Sequence, residues 1–249
     1  MNSLSIAKLL AQRSASPKGP PGDPGEAQKR ALLSKLIAQD YMRFEHLRDK
    51  IFQLVMATTR EEHEAIFDQP EMAHLLFMME KVGLIGEHQL GGVAIDNRAK
   101  RYLSGGWLEE LAWLAAIEAG ADEAIYGQVV SWEFKGYTGE NEIDLIMRKG
   151  GGLTFVSCKA LKSELDIADR KLRNKLMDAV HQADNLADHF GRQGEKVALI
   201  VSTDLFDEVK NAPRYQALMG KAAVLDVHVI ALEEIIWDKL VHAMQGLLH

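Results

Sequence analysis

Residues 141–160 read NEIDLIMRKGGGLTFVSCKA. Two apolar-rich runs flank the turn RKGGG, which predicts a β-hairpin closed by glycines. Side chains alternate across a strand, so Glu142 and Asp144 share one face of the first run and Ser157 and Lys159 one face of the second. A turn at Lys149–Gly152 sets Asp144 opposite Ser157 and Glu142 opposite Lys159. Ile143, Leu145, Val156 and Cys158 then face the other way, into apolar packing. Burying four such polar groups together is costly unless they pair or hold a metal ion. The plain alternative is a cross-strand salt bridge on a solvated sheet face.

Outward from this hairpin the pattern is α/β. A helix is predicted from Trp107 to about Ala119, and strands over Ile125–Phe134, Glu142–Met147 and Leu153–Cys158. A long polar helix follows over Asp166–Phe190, then the buried strand VALIVST, the strand VLDVHVIAL and the helix EEIIWDKLVHAM. Alternating elements of this kind give a three-layer architecture with a mixed sheet. The part before it is different. Residues 14–25, SASPKGPPGDPG, hold four of the six prolines and predict a flexible arm over 1–27. Residues 28–103 predict helices, with a capping-box pattern after Thr59, a helix opened by Pro70 and stopped by Gly83, and a hairpin around Gly91 and Gly92. Helices followed by a hairpin suit a winged-helix unit or a plain helical packing domain. The third part, 104–249, is the α/β domain.

Composition narrows the function classes. The chain has 249 residues and a formal charge of −7, so general attraction to nucleic acid is not expected, although a local basic footprint is compatible with that charge. A single cysteine, Cys158, excludes an intramolecular disulfide and fits a reducing compartment. No apolar run reaches the roughly 20 residues that span a bilayer, and the cytoplasm is the default expectation. The histidines form no HExxH pattern, which argues against zinc. GGG at 150–152 lacks a following GK[ST] and is a turn, not a phosphate loop.

Three blocks carry a family resemblance: GGWLEE at 105–110, NEID at 141–144 and SCKA at 157–160. Together, in order and at compatible spacing, they resemble the PD-(D/E)XK nucleases. More closely, they resemble the endonuclease part of CRISPR-accessory nucleases that carry a CARF sensor activated by cyclic oligoadenylate. The resemblance covers about residues 84–235 and implies a restriction-endonuclease-like core. It implies metal binding by Asp144, a catalytic role for Lys159, Mg²⁺ or Mn²⁺ as cofactor, and a DNA or RNA substrate. Two positions depart from the pattern. Ser157 stands where the family has an acid, and Ala160 where it has Thr or Ser. Glu142 or a glutamate of the helix must then supply the missing charge, or hydrolysis is impaired.

The helix glutamate is open between two residues. The family spacing favours Glu109, and periodicity favours Glu110, which lies beside the apolar stripe of Trp107, Leu111 and Leu114. Gln182 on the long helix is a further candidate. Lys159, Lys162, Arg170, Lys171, Arg173 and Lys175 either line a phosphate groove or form an ordinary charged helix start. The expectation is a metal-dependent endonuclease with Glu109, Glu142, Asp144 and Lys159 at its site. The alternative is a nuclease-fold module that binds nucleic acid or a protein partner without cutting. The family's dimer surface implies a homodimer or pairing with a longer relative. The sensor domain itself has no counterpart in residues 1–25, and regulation by a cyclic nucleotide is not implied.

Overall fold

The computed structural model describes residues 4–54, 70–87 and 93–249. Helix α1 (Ile6–Ala11) leads into strand β1 (Ala15–Lys18). Helices α2 (Pro24–Gln39), α3 (Tyr41–Leu54) and α4 (Pro70–Lys81) follow. A short antiparallel pair, β2 (Gly86–Glu87) and β3 (Val93–Ala94), precedes helix α5 (Asn97–Arg101). A π-turn over Tyr102–Gly106 joins α5 to α6 (Trp107–Glu118). Next come β4 (Glu123–Phe134), β5 (Tyr137–Lys149), β6 (Gly152–Lys159), α7 (Arg170–Phe190) and β7 (Lys196–Val201). The chain ends with the pair β8 (Phe206–Asp207) and β9 (Ala212–Pro213), then α8 (Gln216–Val224), β10 (Val227–Ile230) and α9 (Trp237–Leu248).

One six-stranded sheet, ordered β1-β4-β5-β6-β7-β10, forms the middle layer. Its first four strands are mutually antiparallel, and β6, β7 and β10 run parallel. Helices α2, α3, α4, α6 and α9 bury their apolar residues on one face, against Leu145, Met147, Val156 and Ile200. On the other face α1, α7 and α8 pack against Ile146, Phe155, Leu199 and Val201. This is the three-layer mixed-sheet architecture expected from the sequence. Local chemistry sets its joints. Asp23 caps α2 by accepting from the amides of Gly25 and Glu26, with Pro24 in the first turn. Asp169 does the same for α7 through Lys171 and Leu172. Lys135 and Gly136 both take positive φ between β4 and β5, the conformation a two-residue hairpin demands.

The proline-rich arm is corrected. Residues 1–27 were expected to be flexible, but α1 buries Ile6, Leu9 and Leu10, and β1 adds an edge strand to β4. Pro17 pairs with Val130 on that edge, where a missing amide hydrogen is tolerated. Arg13 anchors the segment through a double contact with Glu195, at 2.6 and 2.8 Å. The helix opened by Pro70 is present and Gly83 follows it with φ +74°. The capping-box pattern after Thr59 and the turn at Gly91 and Gly92 lie outside the described residues.

Candidate metal and nucleic-acid site

The site forms where strands β5 and β6 part. Their ladder runs from Lys149–Gly152 to Leu145–Val156 and ends there. Beyond it β6 continues beside β7 as far as Lys159–Val201, while β5 stays with β4. Asp144 sits in the fork. Its Oδ2 accepts from the Cys158 amide at 2.6 Å and the Ser157 hydroxyl at 3.1 Å, and lies 3.8 Å from the Lys159 ammonium. The carboxylate thereby satisfies an amide that the ended ladder leaves without a strand partner.

The expected register is right, but simple alternation is not. The β4–β5 ladder passes from Tyr126–Leu145 to Gln128–Ile143, skipping Gly127 and Asp144. Gly127 has φ +55°, and the faces change there. Tyr126 and Leu145 pack with α6, whereas Val130 and Ile143 pack with α7. Ile143 is therefore on the opposite side from Leu145, Val156 and Cys158. Glu142 does not meet Lys159, because the ladder has ended. It accepts from Arg101 at 2.9 Å instead.

Helix α6 brings Glu109 to the fork and turns Glu110 away from it. Glu109 is 18% exposed at its side chain and 3.5 Å from Arg101. Burial, and then the negative charge of Asp144, push its carboxyl up to about 7. Glu110 is clamped by Arg30, whose Nε and Nη2 donate at 3.0 and 2.6 Å. Burial raises its pKa as well, against the opposing pull of Arg30. Arg30 also reaches Glu26 and lies over the Tyr102 ring. Glu110 is thus half of a buried ion pair that ties α2 to α6. The periodicity that favoured it does find an inward-facing residue, one that faces the helical layer instead of the fork.

The glycines of GGWLEE have a physical reason. A side chain at Gly106 would come within 3.2 Å of the Arg101 carbonyl, so glycine there eases the close approach of α5 and α6 across the π-turn. That junction sets Arg101 beside Glu109. Sequence reasoning missed Arg101. Its signal was the basic run NRAKR, three residues ahead of the glycines.

The other candidates are placed as follows. Ser157 is buried and holds Asp144. Gln182 is exposed midway along α7. Cys158 is buried, and burial pushes its thiol well up, consistent with a packing residue and not a nucleophile. Lys162, Arg170, Lys171 and Lys175 are exposed at the end of the sheet where β6 finishes and α7 begins, with Lys162 3.9 Å from Asp169. Arg173 is half-buried. Of the carboxylates near the fork, Asp144 acts electrostatically on Glu109. Among the described residues no group of three or more His, Cys, Asp or Glu side chains is arranged to hold a metal. No described helix is long and apolar enough to cross a membrane.

The fold is a mixed six-stranded sheet between two helical layers, with a polar fork at Asp144. The same fold is found in solved structures. Protein VC1899 from Vibrio cholerae superposes with a TM-score of 0.70 at 16% identity, over 99% of this chain and 62% of that one. Can2 from Sulfobacillus thermosulfidooxidans, solved in complex with cyclic tetra-adenylate, gives a TM-score of 0.61 at 16% identity, over 97% of this chain and 61% of that one. The chain therefore spans about three-fifths of the length of each. No family model matches the sequence, and no curated protein does.

Proposed function

We propose that the protein is a divalent-metal-dependent endonuclease that hydrolyses phosphodiester bonds in DNA or RNA, in nucleic-acid defence or processing. The observation that supports this reading is Asp144 in the strand fork, 3.8 Å from the Lys159 ammonium, with its charge acting on the buried Glu109. Two half-buried carboxylates that repel each other are expensive without a cation between them. Mg²⁺ and Mn²⁺ suit such a site, because one or two carboxylates with water and substrate phosphate commonly complete their shell. When bound, the ion supplies positive charge to a phosphate oxygen and acidifies a water.

The chain's own groups do the rest. Asp144 is fixed in orientation by the Ser157 hydroxyl and the Cys158 amide. Glu109 comes from the opposite wall, on α6. Lys159, 33% exposed at its side chain and near Asp144, is placed to orient a water or offset charge on the phosphate. Ser157 fills the position of the family's second acid with a neutral hydroxyl, so Glu109 carries that charge instead.

A second reading has its own observation. Ser157 leaves one acid fewer than the family pattern, and Arg101 already neutralises Glu109 and Glu142. A nuclease-fold module that binds nucleic acid or a protein partner without cutting would keep this arrangement. Cleavage of plasmid DNA and single-stranded RNA with Mg²⁺ or Mn²⁺ separates the two. Cutting by the wild type, reduced at least about a hundredfold in Asp144→Ala and Lys159→Ala, supports the enzyme. No cutting by the wild type across both substrates and both metals sinks it.

A further inference from the structure

Arg101 pairs with two acidic side chains beside the fork. Its Nη2 lies 2.9 Å from Glu142 and 3.5 Å from Glu109. A side chain on Gly127 would come within 3.1 Å of the same nitrogen and 3.5 Å of the Glu109 carboxylate. The guanidinium thus rests against the bare backbone of β4 where that strand kinks. It also borders a recess of about 260 Å³ lined by Arg98, Glu109, Tyr126, Gly22 and Asp23. The Arg101 side chain is 62% exposed.

We propose that Arg101 is an exchangeable cation: it neutralises Glu109 and Glu142 in the metal-free site, and turns to a phosphate of the nucleic acid once a divalent ion is bound. The inference rests on the reading that Glu109 and Asp144 hold that ion. Two cations against one carboxylate repel, so the ion and the guanidinium compete for Glu109. A guanidinium displaced by the ion keeps a planar fork of donors that matches a phosphate, and Arg98 beside it extends the positive surface. The exchange also supplies a local basic contact that the total charge of −7 does not.

The test is Mn²⁺ binding by isothermal titration for the wild type, Arg101→Ala, Arg101→Lys and Asp144→Ala. Alongside it, binding of a fluorescent single-stranded oligonucleotide is measured against salt with Ca²⁺ in place of Mn²⁺. Arg101→Ala is expected to bind Mn²⁺ about tenfold more tightly, because a competing charge is gone, and Arg101→Lys to stay near the wild type. The oligonucleotide should bind Arg101→Ala more weakly, with a salt slope lower by about one. Unchanged Mn²⁺ affinity or an unchanged salt slope in Arg101→Ala overturns the proposal. Asp144→Ala should lose Mn²⁺ binding. If it binds as the wild type does, the metal reading fails and the Arg101 exchange falls with it.

Discussion

Glu109 and Glu110 are neighbours on one helix, and their surroundings give them different tasks. Arg30 meets Glu110 with two hydrogen bonds, so that carboxylate is spent on holding α2 against α6. Glu109 faces Asp144, and its carboxyl is pushed up to about 7 from an ordinary 4.5, by burial first and by Asp144 second. A raised carboxyl pKa favours the folded state at low pH. Its contribution is fully present below about 4.5 and is lost as pH rises through about 7, amounting to about 3 kcal/mol at most. Glu109→Gln should therefore flatten the fall in melting temperature between pH 4.5 and 7. Thermal melts across that range, without metal, check this, and a slope equal to the wild type's contradicts it. Ser157 gives a second residue-scale expectation. Ser157→Glu sets a buried carboxylate against Asp144, which should cost about 2–4 kcal/mol in chelator. Mn²⁺ should restore the lost melting temperature and raise cleavage. A loss that Mn²⁺ does not relieve would show that position 157 is outside the metal's reach.

At the scale of elements, the N-terminal segment is structural. Leu10 of α1 is fully buried against the sheet, and β1 covers the open edge of β4. Leu10→Ala should cost about 2–5 kcal/mol in a chemical denaturation curve, whereas the same change in a flexible arm would cost almost nothing. Proline content alone does not reveal that segment's structure. An edge strand tolerates Pro17, and Pro24 opens a helix, so the prolines mark joints. The β5–β6 hairpin was legible, since its glycine turn and two-residue periodicity fix the register that Leu145–Val156 displays. The kink at Gly127 was not, because a positive φ in one strand leaves no signature in its neighbour. It moved Ile143 to the other face and separated Glu142 from Lys159. Arg101 was hidden for a related reason. It reaches Glu109 through a π-turn, not through the regular spacing of one helix.

For the whole molecule, two helical layers pack on the sheet, and the fork lies where β5 and β6 part. At that end Lys159, Lys162, Arg170 and Lys171 are interspersed with Glu164, Asp166 and Asp169, and the chain as a whole is acidic. The most direct test of the central claim is a crystal of the protein soaked with Mn²⁺ and measured at the manganese absorption edge. The expected result is an anomalous peak about 2.1 Å from carboxylate oxygens of both Asp144 and Glu109, with Arg101 no longer bridging Glu109 and Glu142. A map with no peak between those carboxylates at saturating Mn²⁺ would contradict it.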